Sequence, residues 1–167
     1  AVLTGLVEES APDRIRFAHN LIRDTLYDDM SVLRRSRLHA AALRMLRGRS
    51  ADAASLAYHA VAAATAETAM EAADFAMNAA AEADTVGAPA EAARQWRSAV
   101  EMFELAGADQ ATATAARCGL IAALAQAGDA LGSREELHRT MAAIGHDDAL
   151  AVRALTASTS PLVWRVR

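Results

Sequence analysis

Residues 87–99 read GAPAEAARQWRSA. Counted from the turn glycine Gly87, a small residue falls at position five (Ala92), a large one at nine (Trp96) and a small one again at twelve (Ala99). On a helix that order lets a neighbouring helix approach on either side of one bulky anchor. A weaker echo follows Gly128, where Ser133, Leu137 and Thr140 stand in the corresponding places, 41 residues further on. Around these two stretches the punctuation is regular: RGRSADAA, TVGAPAEAA, ELAGADQ, QAGDALGS and AIGHDDA. Each small-residue cluster separates apolar periodic runs of about fifteen to twenty residues, the rhythm of antiparallel helix pairs.

Composition agrees with close-packed helices. Of 167 residues, 53% are hydrophobic but only 4% aromatic, and 45 are alanine. Alanine is the best helix former and allows helix axes to approach toward the short end of the usual ~8–10 Å. The small-large-small spacing is that of the second helix of a tetratricopeptide repeat, although 41 residues exceed the ~34 of the standard unit. The expected fold is therefore mainly α, a TPR-like antiparallel helical-repeat array in which either the helices are longer or the repeat is a relative of HEAT-like length, with a short N-terminal β-hairpin. An irregular helical bundle is the alternative.

Net charge is −4 and unevenly spread. Residues 1–50 carry nine Arg against six acids, +3, and residues 51–167 carry eight Arg against fifteen acids, −7. A junction near Gly48 follows, dividing the chain into 1–48 and 49–167. The balance argues against the chain as a whole coating nucleic acid. The single cysteine, Cys118, lies among apolar neighbours in AARCGLIAAL and reads as a small buried hydrophobe in a reducing compartment. No apolar run approaches the ~18–20 residues of a membrane span and no signal peptide is legible, so the expectation is a cytoplasmic protein with no membrane partner. The absence of an initiator Met and of a closing signal after SPLVWRVR reads as a piece truncated at both ends.

The first fifty residues are of another kind. Leu6–Glu9 and Arg14–Phe17 alternate as short strands, joined by the turn chemistry of Ser10-Ala11-Pro12-Asp13. A small hairpin with Ile15 and Phe17 facing inward is expected. From Asn20 the period becomes helical, with Leu21, Ile22, Thr25, Leu26 and Asp29 marking one segment. Ser31 is an N-cap for a second, in which Val32, Leu38, His39, Ala42, Leu43, Met45 and Leu46 share a face and Gly48 supplies the stop. Arg34, Arg37, Arg44 and Arg47 fall on or beside the opposite face, either a solvated surface or a phosphate-binding patch. No aromatic side chains interleave with them to stack on bases.

Catalytic signatures are missing. A P-loop needs a lysine, and the chain has none. It also lacks CxxC, HExxH and Gly-x-Ser-x-Gly, so the chain itself is expected not to be an enzyme. Five histidines are scattered. His39 and His59 lie on apolar helix faces and read as core histidines, and His138 and His146 as surface or helix-end residues. His19, between a strand and a helix, either bonds a nearby carbonyl or presents its imidazole from a fixed junction.

RIRFAHNLIRDTLYDDMSVLRRSRLHAAALRML resembles the end of the winged-helix subdomain of STAND-class nucleotide-binding proteins. That pattern is a strand ending in Phe-x-His, a helix with Leu-hydrophobic-Arg-acidic and a Tyr, then Arg-x-x-Leu-His. Phe17, His19, Leu21, Arg23, Asp24, Tyr27, Arg35, Leu38 and His39 match it. In the bacterial branch this region leads into a helical-repeat sensor, to which SLAYHAVAAA, AADFAMNAAAEA and AARQWRSAVEMF are similar. RALTASTSPLVWRVR is similar to large actinobacterial regulators of the SARP type and their LuxR-type relatives.

The resemblance implies that His19 holds the place of the family's strand-end histidine, second residue of the Met-His-Asp motif. That residue contacts the β-phosphate of ADP and latches the closed state. Ala18 and Asn20 replace the Met and Asp. It also implies an upstream nucleotide-binding domain in the same chain that takes ADP and ATP, since this stretch holds no cofactor by itself. DNA would be bound only through another domain, and a protein or peptide on the helical-repeat face. The function expected is the sensor region of a transcriptional regulator. The alternative is a TPR-like scaffold that binds a peptide without any nucleotide linkage.

If the repeat register is right, Ala92→Leu or Ala99→Leu overpacks a helix crossing and costs roughly 1–3 kcal/mol. Truncation of Trp96 to Ala costs roughly 3–5 kcal/mol. Denaturant melts of the three variants measure this, and an unmoved midpoint places the residues in solvent.

Overall fold

The computed structural model describes residues 6–11, 14–49 and 51–159. Two short strands, β1 (Val7–Ala11) and β2 (Arg14–Phe17), precede eight helices in this region. These are α1 (Asn20–Asp28), α2 (Val32–Arg47), α3 (Ala53–Ala63), α4 (Ala69–Thr85), α5 (Pro89–Ala106), α6 (Gln110–Gln126), α7 (Ala130–Ile144) and α8 (Asp148–Ser158). The chain is thus mainly helical, with a small two-stranded sheet.

Three-residue corners set the course of the second half. At the end of α4, Gly87 takes φ 71°, and the amides of Gly87 and Ala88 donate to the carbonyls of Asp84 and Ala83. At the end of α6, Gly128 takes φ 83° with the matching pair, Gly128 to Ala125 and Asp129 to Leu124. Both are Schellman closures, in which a left-handed residue satisfies the last carbonyls of a helix. The chain restarts at once. Asp129 accepts from Gly132 N at 2.9 Å, and Asp109 and Asp147 cap α6 and α8 in the same way through Thr112 N and Leu150 N. Before α5 the restart is made by Pro89 at the first turn, where its missing N–H is not needed. So short a corner between touching helices makes them antiparallel neighbours.

What lies between the helices is small. α4 buries Ala69, Ala72, Ala73, Ala76, Ala79, Ala80 and Ala83 and no large side chain. Opposite it, α5 buries Ala92, Ala93, Ala99, Val100 and Phe103. Ala92 and Ala99 are fully buried, as the spacing after Gly87 predicts; in the weaker copy Thr140 is fully buried and Ser133 is buried. Trp96 itself is only half-buried against this core. Its ring lies along α6 at Gly119, where a Cβ would stand 2.5 Å from two ring atoms. Packing beyond consecutive neighbours is irregular: α3 touches α5 in one half, whereas α6 touches α8 in the other.

The N-terminal expectations need correction in three places. β1 spans Val7–Ala11 rather than Leu6–Glu9, and a register shift between Glu9 and Ala11 lengthens it against β2. Phe17 does not face inward. It pairs with Val7 and is 39% exposed, since a two-stranded sheet supplies no layer to cover it. In α2 the buried residues are His39 and Leu43, one turn apart, whereas Val32, Leu38 and Met45 are mostly exposed. Leu38 and His39 are adjacent in sequence, about 100° apart around the axis, so one burying contact cannot cover both. The turn at Pro12 and Asp13, the Ile15 side chain, and Trp164 with the stretch from residue 160 lie outside the described residues.

Gly119→Ala tests the ring contact. Exchange of Gly for Ala inside a helix alone gains roughly 1 kcal/mol, but the ring must tilt away and the displaced packing costs roughly 1–3 kcal/mol. A net loss of stability with altered tryptophan fluorescence is expected. A gain in stability with unchanged emission would show that the ring does not rest there.

Candidate functional site

Three clusters of polar side chains lie in the described residues, and the first is the strand-helix junction. His19 is extended at φ −134°, ψ 133° and occupies the N-cap of α1, but its side chain makes no capping bond. Its carbonyl instead accepts from the amides of Ile22 and Arg23. The exposed imidazole opens into a cleft with Arg16, Phe17, Asn20 and Arg23. Arg16 pairs with Glu8 at 3.0 Å and Arg23 with Asp24 at 2.8 Å, both on the surface. Such exposed pairs contribute about 0–1 kcal/mol, so an incoming anion can replace either carboxylate at little cost.

The second cluster joins three helices. Tyr27 of α1 holds its hydroxyl 2.9 Å from His39 Nε2, and His39 Nδ1 stands 2.9 Å from His59 Nδ1 of α3. Tyr58 packs edge-on to both imidazoles, with ring centroids 5.1 Å from each. The Arg35 guanidinium lies over the Tyr27 ring at 5.1 Å and reaches Asp28 at 3.7 Å. Burial, then the neighbouring His59 and Arg35, hold the His39 pKa below its ordinary value. Burial alone depresses His59. The Tyr58 hydroxyl is pushed above the usual phenol range by burial and by Tyr27 beside it, with Arg23 opposing.

The third cluster lines a groove among α5, α6 and α7. Arg117 pairs with Glu104 and, at 2.9 Å, with Glu136, which also accepts from Arg139 Nη1 at 2.6 Å. Arg97 and Glu101 complete the charged lining. Glu136 is buried, and the two guanidiniums offset the cost of taking its carboxylate out of water.

Not all sequence expectations meet at one place. His39 is buried as expected, His138 and His146 are exposed, and Cys118 is buried with its thiol pKa pushed up by burial. The arginine row of α2 does not converge on a site. Arg47 turns to α4, pairing with Glu71 at 2.7 Å and lying over Phe75. The reading of His39 and His59 as separate core residues missed their contact, which joins positions twenty apart. The adjacent Tyr58 and His59 were the only local sign of it. Among the described residues no helix is long and apolar enough to cross a membrane, and no three His, Cys, Asp or Glu residues are grouped as metal ligands.

Compared with known proteins, the chain matches no family model, no curated protein and no solved structure. The site must be read from its own geometry.

Glu136→Ala should cost about 3 kcal/mol, since it leaves Arg117 largely buried with only its exposed partner. Glu135→Ala, on an exposed carboxylate one residue away, should change stability by under about 0.5 kcal/mol. Paired urea melts compare the two, and equal effects would show that the buried charge cluster is not holding α6 to α7.

Proposed function

We propose that this chain is the sensor region of a STAND-type transcriptional regulator, with residues 1–48 the end of a winged-helix subdomain and 49–167 a TPR-like helical array. The observation that carries the reading is His19. Its side chain is exposed at the strand-helix junction, makes no cap bond, and shares a cleft with Arg16, Asn20 and Arg23. An imidazole N–H and two guanidiniums are suitable donors to phosphate oxygens. A phosphate of ADP, held by an upstream nucleotide domain, is the ligand this donor set fits.

The apolar surface of the same end supports the reading. Leu21, Val32, Leu33 and Met45 are each more than 60% exposed on α1 and α2. Large apolar side chains left in solvent at this end are what a further protein layer would cover, on this reading the nucleotide domain. Binding of a protein or peptide to the array would then bias the closed ADP and open ATP forms, two sites acting on one bistable element. ATP hydrolysis and DNA binding belong on this reading to other domains of a cytoplasmic parent protein.

A second reading is a TPR-like scaffold with no nucleotide linkage. It is favoured by the charged groove of Arg97, Glu101, Glu104, Arg117 and Arg139, which offers both signs of charge to a peptide.

His19→Ala, introduced into the longer protein that includes the nucleotide domain, separates the two. Loss of one hydrogen bond to a charged phosphate is worth ~1.5–3 kcal/mol, or roughly tenfold or more in ADP affinity. Weaker ADP binding with raised basal transcription is expected. Unchanged ADP affinity and unchanged output reject the latch and leave the scaffold reading.

A further inference from the structure

We propose that the His39–His59 contact is a proton-operated latch: a second proton taken up by the pair parts α2 from α3 and frees α1 from the helical array. The inference needs no nucleotide and stands apart from the reading of His19.

It follows from the facing atoms. The two Nδ1 atoms are 2.9 Å apart, so one must donate and the other accept. With both rings neutral this is met by one Nδ1–H tautomer facing one lone pair. With one ring protonated it is still met, because the cation donates to the neutral partner. With both protonated, two N–H groups and two positive charges meet head-on, and the contact cannot survive. The pair therefore accepts one proton without rearrangement and must open for the next, which is anticooperative titration.

The surroundings add to this. Arg35 on α2 brings a third positive charge toward His39, and Arg23 on α1 acts on the adjoining Tyr58. Tyr27 and Tyr58 are the other titratable groups facing the rings, and the Tyr58 phenol is pushed above its ordinary range. Asp28 is engaged by Arg35, and no carboxylate acts on either imidazole from α1, α2, α3 or the α4 that packs on α3. Burial depresses both pKa values, so the contact is fully present above the ordinary imidazole value near 6.5, weakens as pH falls below it, and is lost when the second proton is taken up.

α1 is the element that pays attention to this switch, because it has little else to hold it. It buries no residue. Tyr27 joins it to α2 through the His39 bond, and Arg35 holds the same ring and Asp28. Where His39 is the ring that donates through Nδ1, its Nε2 accepts from Tyr27, and protonation turns that Nε2 into a donor and forces Tyr27 to reverse its hydrogen bond. Opening of the pair then removes the platform on which Tyr27 rests. His59 is half-buried, so the proton arrives from solvent.

Hydrogen exchange of this chain at pH 7.5 and 5.5, corrected for intrinsic rates, tests the latch. Peptides from α1 should lose protection at least tenfold at pH 5.5 while those from α5 keep theirs. His59→Gln removes one titrating ring and leaves His19, His138 and His146 in place, and should remove most of the loss of α1 protection between the two pH values. Equal loss in α5, no loss in α1, or the same loss in the variant overturns the proposal. If the variant does not fold, titration of the imidazole proton signals in the unmodified protein decides. Two steps more than one pH unit apart are expected for the pair, and two independent steps near 6.5 would falsify it.

Discussion

The rest of this molecule depends on the close approach of helices through alanine. The core between α4 and α5 is mostly methyl groups, Ala73, Ala76 and Ala83 on one side and Ala92, Ala93 and Ala99 on the other, with Val100 and Phe103 further along α5. A buried methyl contributes only about 0.8 kcal/mol by transfer. Stability of such a layer must come from backbone proximity and dense dispersion contacts rather than from the bulk of any one side chain. That makes the interface intolerant of growth, since the gap left by alanine on both faces has no room for a longer side chain. It also explains why Trp96 ends half-exposed: its ring finds room only where Gly119 has no Cβ.

A thin core needs its corners placed well, and the Gly-Asp corners supply this. Closing a helix with a left-handed glycine and opening the next with an aspartate satisfies both sets of end groups within three residues. Successive helices are then returned alongside each other before much chain entropy is spent on a loop. Charge is used sparingly inside this frame. Glu136 is buried only because Arg117 and Arg139 meet it from two helices, which makes that joint depend on geometry in a way that the alanine layer does not.

The N-terminal end has a different balance. Hairpin and α1 bury little and are tied to the array chiefly through Tyr27, His39 and His59. A weakly packed element held by a titratable contact moves more readily than one held by a core. In a regulator of the kind proposed, the piece that must change position and the piece that must stay rigid would thus be separated by their packing. The exposed His19 lies on the weakly packed side of that division, and the charged groove of α5–α7 on the well-packed side.

Much of this was legible from local pattern. Helix content, the left-handed corners at Gly87 and Gly128, the burial of Ala92, Ala99, Ser133 and Thr140, and the Ser31 cap all follow from spacing and turn chemistry, which act over a few residues. Which face of α2 is buried did not, because apolar residues lie nearly all round it and only the position of α3 selects His39 and Leu43. The pairing of His39 with His59, the meeting of Arg117 with Glu136, and the fit of Trp96 to Gly119 were likewise invisible. Each joins residues on different helices, and no one-dimensional period encodes the angle at which two helices cross. The sequence by itself determined where helices begin, end and turn back, since those are short-range bonds; only the tertiary structure decided which side chains meet, because that depends on how the helices pack.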